Sequence, residues 1–276
     1  MQPGTPGPRG EEPHAAERRA ANTLNVGEMQ KRMRRFWRSI PSPPRCKLCH
    51  RPFGAPGGVV MRLIGLGPWA GNPKYCRGCF LDLYRNRSGA EIECTLLFAD
   101  VRGSTGLAES MASSDYRGLM NRFYATAVDE LVRYDAFVDK FVGDEVIGIF
   151  VPALTEQLHA RQAVLAGMAL LAATGHESGE PWVPLGVGVH TGLAYVGAVG
   201  TEEHVEFTAL GDAVNVAARL ASAAGPGELL VTDAAARAAG TAGVDVEHRR
   251  VNLRGRTEPV EVMVLSSVDQ LQVPTS

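Results

Sequence analysis

The chain has 276 residues, 45% of them hydrophobic and 21% charged, which suits a soluble globular protein with length for one large domain or two modest ones. Its longest apolar run, residues 163–173, has 11 residues, against the ~20 that a membrane-spanning helix needs. The N-terminus carries no apolar stretch that reads as a signal peptide, so a cytoplasmic protein is expected.

The net charge of -2 hides an asymmetry. Residues 1–88 hold 16 Lys/Arg against 5 Asp/Glu, whereas residues 89–276 hold 12 against 25. Halves charged so differently are expected to do different work. Cysteine is equally uneven. Cys46, Cys49, Cys76 and Cys79 lie in the basic half, and Cys94 stands alone near the start of the acidic one. Four paired cysteines without an export signal point to a reducing compartment and a metal rather than disulfides.

In chain order, residues 1–23 are rich in Pro, Gly, Glu and Arg. They cannot bury enough apolar surface to offset chain entropy, so they read as a disordered tail. Residues 24–40 read as a basic amphipathic helix with Met29, Met33, Phe36 and Trp37 near one side. Such a helix packs on its own protein or on a partner; membrane-surface or nucleic-acid contact is the alternative. The Pro-rich residues 41–44 end it.

Residues 41–88 contain two CxxC knuckles, Cys46–Cys49 and Cys76–Cys79, separated by 26 residues. Each knuckle turns two thiolates towards one point, and two knuckles complete a tetrahedral site that suits Zn²⁺. A redox pair or an iron–sulfur centre is the alternative, and His50 could replace one thiolate. A closed four-thiolate site leaves no open position for water, so the zinc is read as structural. It would hold a small zinc-ribbon-like module whose Gly- and Pro-rich composition gives it little core. The charge of this half leaves nucleic-acid or regulatory-protein contact open.

Residues 89–276 show a different pattern. Strands are predicted at 95–99, Phe137–Val142, 146–151, 185–190, 194–198, 205–209, 229–231, 247–251 and Val260–Leu265. Helices are predicted at 115–134, 156–173 and Asp212–Ala223. The order predicts an α+β domain with helices packed on a mostly antiparallel sheet. The segments 185–190 and 194–198 read as a hairpin. His190 between them reads as a structural, hydrogen-bonded histidine, Gly186 and Gly188 as sites of tight strand packing, and Cys94 as a small core residue.

Two acids stand out. Asp100 ends a buried strand and is followed by a Gly/Ser/Thr turn, and Asp144 sits at a Gly-Asp hairpin turn. Each alone is an ordinary cap or turn residue. Adjacent central strands, however, would bring the two side by side, where carboxylates repel unless protonated or bridged by cations. Oxygen ligands with open positions suit Mg²⁺ or Mn²⁺ holding a substrate phosphate. On the predicted helix Asp212–Ala223, Asn215 and Arg219 are four apart and share a neighbouring face. They read either as a polar surface or as an amide and a guanidinium aimed at one anionic group. Arg102, beside Asp100, reads as a residue that tunes the acid or as surface.

Four segments, LLFADVRGST, VDKFVGDEVIGIF, VGVHTGLAYVGAVG and FTALGDAVNVAARL, resemble the catalytic domain of class III adenylate/guanylate cyclases, in that family's order. The resemblance spans roughly residues 92–268 and implies a ferredoxin-like, palm-like sheet. It implies that Asp100 and Asp144, with the Val101 carbonyl as an extra ligand, hold two Mg²⁺ or Mn²⁺ ions per site. Asn215 would orient the ribose, and Arg219 would stabilise the α-phosphate. Lys140 and Thr208 fall on the base-selecting positions, and this Lys/Thr pair favours ATP over GTP. Arg254 or Arg256 would meet the outgoing phosphates. The expected reaction is conversion of ATP to 3′,5′-cyclic AMP and pyrophosphate. Family members build the site between two catalytic domains, so a head-to-tail homodimer is expected. A guanylate cyclase, or a cyclase-like nucleotide sensor with weak turnover, is the alternative.

Overall fold

A computed structural model of the chain describes residues 36–37, 42, 44–46, 49, 51–69, 72–79, 89–155, 158–200, 205–267 and 270. The expected tail 1–23 lies outside them. So does the expected helix 24–40, except for Phe36 and Trp37, which are helical. The chain divides into two compact units, Met1–Asp82 and Leu83–Ser276.

In the first unit, α1 (Gly57–Leu63) is followed by β1 (Pro68–Trp69) and β2 (Asn72–Cys76), which pair antiparallel. Its buried cluster consists of Cys46, Cys49, Cys76 and Phe53, with Cys79 packed against it.

The second unit begins with β3 (Gly89–Val101), α2 (Ser104–Ser110) and α3 (Ser113–Arg133). The hairpin β4 (Phe137–Val142) and β5 (Glu145–Phe150) follows, then the short α4 (Pro152–Thr155) and α5 (His159–Ala173). Next come β6 (Leu185–Gly200), β7 (Val205–Leu210) and α6 (Asp212–Ala223). The unit ends with β8 (Leu229–Thr232), α7 (Asp233–Ala239), β9 (His248–Val251) and β10 (Val260–Leu265). The sheet order is β4-β5-β3-β6-β8-β10-β9, with β7 also paired to β6. Every pairing is antiparallel except that of β6 with β8. The first part, β3-α3-β4-β5-α5-β6, follows the ferredoxin-like path, and the α+β architecture is as the sequence predicts.

Side-chain alternation on β3 explains the two-layer core. Leu97, Ala99 and Val101 enter the cluster that contains Met120, Phe123, Ala127 and Leu131 of α3 and Leu170 of α5. Cys94, Leu96 and Phe98 point the other way, with Ala213, Ala217 and Ala221 of α6. A strand buried on both faces reads as a continuous apolar run, which is why this segment lacks a polar alternation. β6 does the reverse. Leu185, Val187 and Val189 fill the first cluster, while the opposite positions are glycines on which α6 rests. A Cβ at Gly188 would lie 2.4 Å from the Ala221 nitrogen, and one at Gly186 2.9 Å from the Ala224 oxygen. The glycines therefore serve helix–sheet contact.

One prediction is corrected. Residues 185–190 and 194–198 are not a hairpin but parts of the single strand β6. The apparent turn residues His190, Thr191 and Gly192 stay extended because they pair with Leu96, Thr95 and Cys94 of β3. Thr95 Oγ1 is 2.7 Å from Thr191 Oγ1 and 2.8 Å from His159 Nδ1, so the polar groups of this stretch are satisfied internally. Likewise β3 begins at Gly89, six residues before the predicted start. Cys94 is fully buried, and burial pushes its thiol up to about 11.

Candidate active site and candidate metal centre

The β3–β5 register pairs Asp100 with Glu145, the neighbour of Asp144. The Val101 amide donates to the Asp144 carbonyl at 3.2 Å. The two acids singled out in the sequence are thus brought together at one end of adjacent strands. The turn that presents Asp144 is fixed from outside the hairpin. Gly143 has φ +62°, a conformation that suits glycine in a tight hairpin turn. The Tyr124 hydroxyl of α3 donates to the Gly143 carbonyl, and its ring stacks on Phe141 with centroids 4.4 Å apart. Burial, followed by Tyr116 and Asp144, raises the Tyr124 pKa. Tyr124 escaped the sequence reading because at helical spacing it is indistinguishable from a core residue.

Glu145 was also missed. Burial raises its pKa to about 7, with Asp100 and Asp144 adding to the rise and Arg102 opposing it. The cluster is therefore a concentration of negative charge made of oxygen donors, and this donor set fits Mg²⁺ or Mn²⁺. Arg102 is no free surface residue. It forms an ion pair with Asp100 and donates to the Ser222 carbonyl at 2.7 Å. That bond ties the acids to the C-terminal end of α6.

Asn215 and Arg219 lie earlier on the same helix. Asn215 is exposed, and the Arg219 guanidinium lies beside the turn at Gly255, where a Cβ would be 3.5 Å from Arg219 Nη2. Seven residues of helix separate Asn215 from Ser222, or about 10 Å. Arg256 forms an ion pair with Asp212 at the start of α6, whereas Arg254 is exposed. His190 Nδ1 lies 2.9 Å from Thr232 Oγ1; burial, then Arg256, pushes its pKa down to about 4, so it is neutral. On β7, the buried Thr208 donates its hydroxyl to Asp139 of β4 at 2.5 Å. The side chain of Lys140, the next residue, lies outside the described part.

The four Sγ atoms of Cys46, Cys49, Cys76 and Cys79 lie within 4.8 Å of one another. Backbone amides point at the sulfurs: Cys76 N donates to Cys46 Sγ at 3.2 Å and Cys79 N to Cys76 Sγ at 3.3 Å. Arg51 Nη1 donates to Cys76 Sγ at 3.1 Å. A hydrogen bond with Cys49 is the main influence that lowers the Cys46 thiol to about 7. Clustered sulfurs with N–H donors around them fit thiolates that share a tetrahedral cation.

Residues 88–266 match the family model described as the adenylate and guanylate cyclase catalytic domain. The chain belongs to this family. Relatives include an uncharacterized protein of Mycobacterium tuberculosis, 34% identical over 194 residues, which are 67% of this chain and 33% of that protein. The chain thus spans about a third of the length of that curated relative. A solved guanylyl cyclase matches with TM-score 0.60 and 25% identity, covering 68% of this chain and 97% of that one. The adenylyl cyclase CyaB from P. aeruginosa matches with TM-score 0.58 and 25% identity, covering 67% and 100%. Among the described residues, no helix is long and apolar enough to cross a membrane.

Proposed function

We propose that the chain is an adenylate cyclase whose sites form between two copies of the Leu83–Ser276 unit. The observation that supports the reading is the meeting of the β3 and β5 ends, where Asp100 pairs with Glu145 and the Val101 amide bonds the Asp144 carbonyl, while Asn215 stands exposed on α6. In this reading one protomer supplies the acids and its partner supplies Asn215 and Arg219, as in a head-to-tail pair. Asp100, Asp144 and the Val101 carbonyl would hold Mg²⁺ or Mn²⁺, which when bound supplies Lewis acidity and neutralises phosphate charge. Asn215 of the facing protomer orients the ribose. Arg219 donates to the α-phosphate as negative charge grows on its oxygens. The ribose 3′-hydroxyl loses its proton, its oxygen bonds to the α-phosphorus, and the bond to the departing pyrophosphate breaks. Holding these atoms in line supplies much of the acceleration. Base recognition is assigned to Thr208 and Lys140, and contact with the leaving phosphates to the exposed Arg254. Arg256, already paired with Asp212, is the poorer candidate for that role.

We also assign Cys46, Cys49, Cys76 and Cys79 to a structural Zn²⁺, supported by their clustered sulfurs. Regulatory or nucleic-acid contact by this basic unit belongs to the same proposal, supported by its excess of Lys and Arg.

The test mixes Asp144→Ala chains with Arg219→Ala chains. Each alone should lose at least about 100-fold in cyclic AMP formation. Mixed dimers should recover part of the activity, because one of their two interfaces keeps every group. Confirmed mixed dimers without recovery would refute the shared site, and cyclic GMP from GTP as the better product would make the chain a guanylate cyclase.

A further inference from the structure

We infer that Asp139 sets the base preference of the site by fixing the Thr208 hydroxyl as a hydrogen-bond acceptor. The inference rests on the proposed purine nucleoside triphosphate site. A threonine hydroxyl carries one proton and two lone pairs, whereas an ionised carboxylate only accepts. The Thr208 Oγ1 to Asp139 Oδ2 distance of 2.5 Å lies at the short end of charge-assisted bonds. With its proton committed to Asp139, Thr208 has only lone pairs to offer a ligand. The 6-amino group of adenine donates to such an oxygen. The 6-oxo group of guanine would set lone pair against lone pair. Without the carboxylate the hydroxyl turns freely and serves either base.

The contact has a backbone cause. β4 pairs Val138 with Gly148 but Phe141 with Val146, so the register slips between Val138 and Phe141. The slip falls on Asp139 and Lys140. A bulge breaks strict alternation and re-aims the side chains at it, a device common beside active sites. Here it accompanies a reach from β4 to β7. Thr208 is itself buried in the protomer, which limits competition by water for its proton. Asp139 acts on the base through Thr208 and is a positioning residue.

The experiment measures kcat/KM for ATP and GTP on full-length wild type, Asp139→Ala, Thr208→Val and the double variant. Both nucleotides are read on the same sample, so any loss of folded protein cancels from the ratio. Wild type should prefer ATP. Asp139→Ala should lower the ATP:GTP ratio about tenfold, the size of one hydrogen bond gained by guanine, mainly through a lower KM for GTP. Thr208→Val should lower it too, and Asp139→Ala should then add nothing. Purine riboside triphosphate, which has no 6-substituent, should be used equally by wild type and Asp139→Ala. A chain without turnover is read by the same ratio of dissociation constants. Wild type that prefers GTP overturns this inference together with the ATP reading. An ATP-preferring wild type whose ratio survives Asp139→Ala overturns the inference alone. An equal loss in the Thr208→Val background also overturns it, since Asp139 would then read the base directly.

Discussion

In Leu83–Ser276, Phe123, Phe150, Leu96 and Leu97 are sealed from solvent on two faces of one sheet, whereas in Met1–Asp82 the buried cluster consists of three cysteines and Phe53. The first arrangement is held by apolar area. Among the described residues the second gathers sulfur instead, so its order should depend on a cation. The difference teaches that one chain can carry two kinds of stability, which should fail separately.

The largest effect should come from removing the cation. Chelation, or Cys76→Ser, should unfold the first unit, since structural zinc supplies on the order of 10–16 kcal/mol in small metal modules. Limited proteolysis with zinc quantification by mass spectrometry follows this. The cooperative melt of the cyclase unit should stay where it was, and a melt that moves with the metal would break the comparison. Next, Phe123→Ala should cost the cyclase unit about 3–5 kcal/mol by opening a cavity under β3, read as a lower Tm with unchanged zinc content.

Acid should affect the cyclase unit through His190, whose pKa falls from 6.5 to about 4 on burial. Between those values the unfolded chain binds a proton that the folded chain refuses. Stability is therefore full above pH 6.5 and declines as pH drops towards 4, by up to about 3 kcal/mol from this group. Burial lowers His159 and His176 as well, which adds to the same slope. Denaturation curves at pH 7 and pH 5 should show a smaller difference for His190→Gln than for wild type. The smallest effect should come from Asp233→Asn, which removes an exposed pair with Arg237 on α7. It should change stability by no more than about 0.5 kcal/mol in urea unfolding.

Much of this was legible in the sequence, for local reasons. The CxxC spacing is a short-range fact, and so are the helical stripe of α6 and the Gly-Asp turn before Glu145. β6 was misread because His190, Thr191 and Gly192 are turn residues by composition. Only a partner strand, roughly 95 positions away, keeps them extended. Asp139 was invisible as a functional residue because its partner, Thr208, lies on another strand and its bulge is a matter of register, which residue types do not record. Local sequence fits Arg102 to either of two roles, and its ion pair with Asp100 and bond to Ser222 depend on tertiary placement.

The mounting of α6 has one more consequence. Ala213, Ala217 and Ala221 face a strand that offers bare main chain at Gly186 and Gly188. No pliant side chain lies between helix and strand there to act as a cushion. The stand-off of α6 is set by atoms that cannot change rotamer, so Asn215 and Arg219 ride on the sheet as fixed fittings. A signal that repositions them has to swing the whole platform.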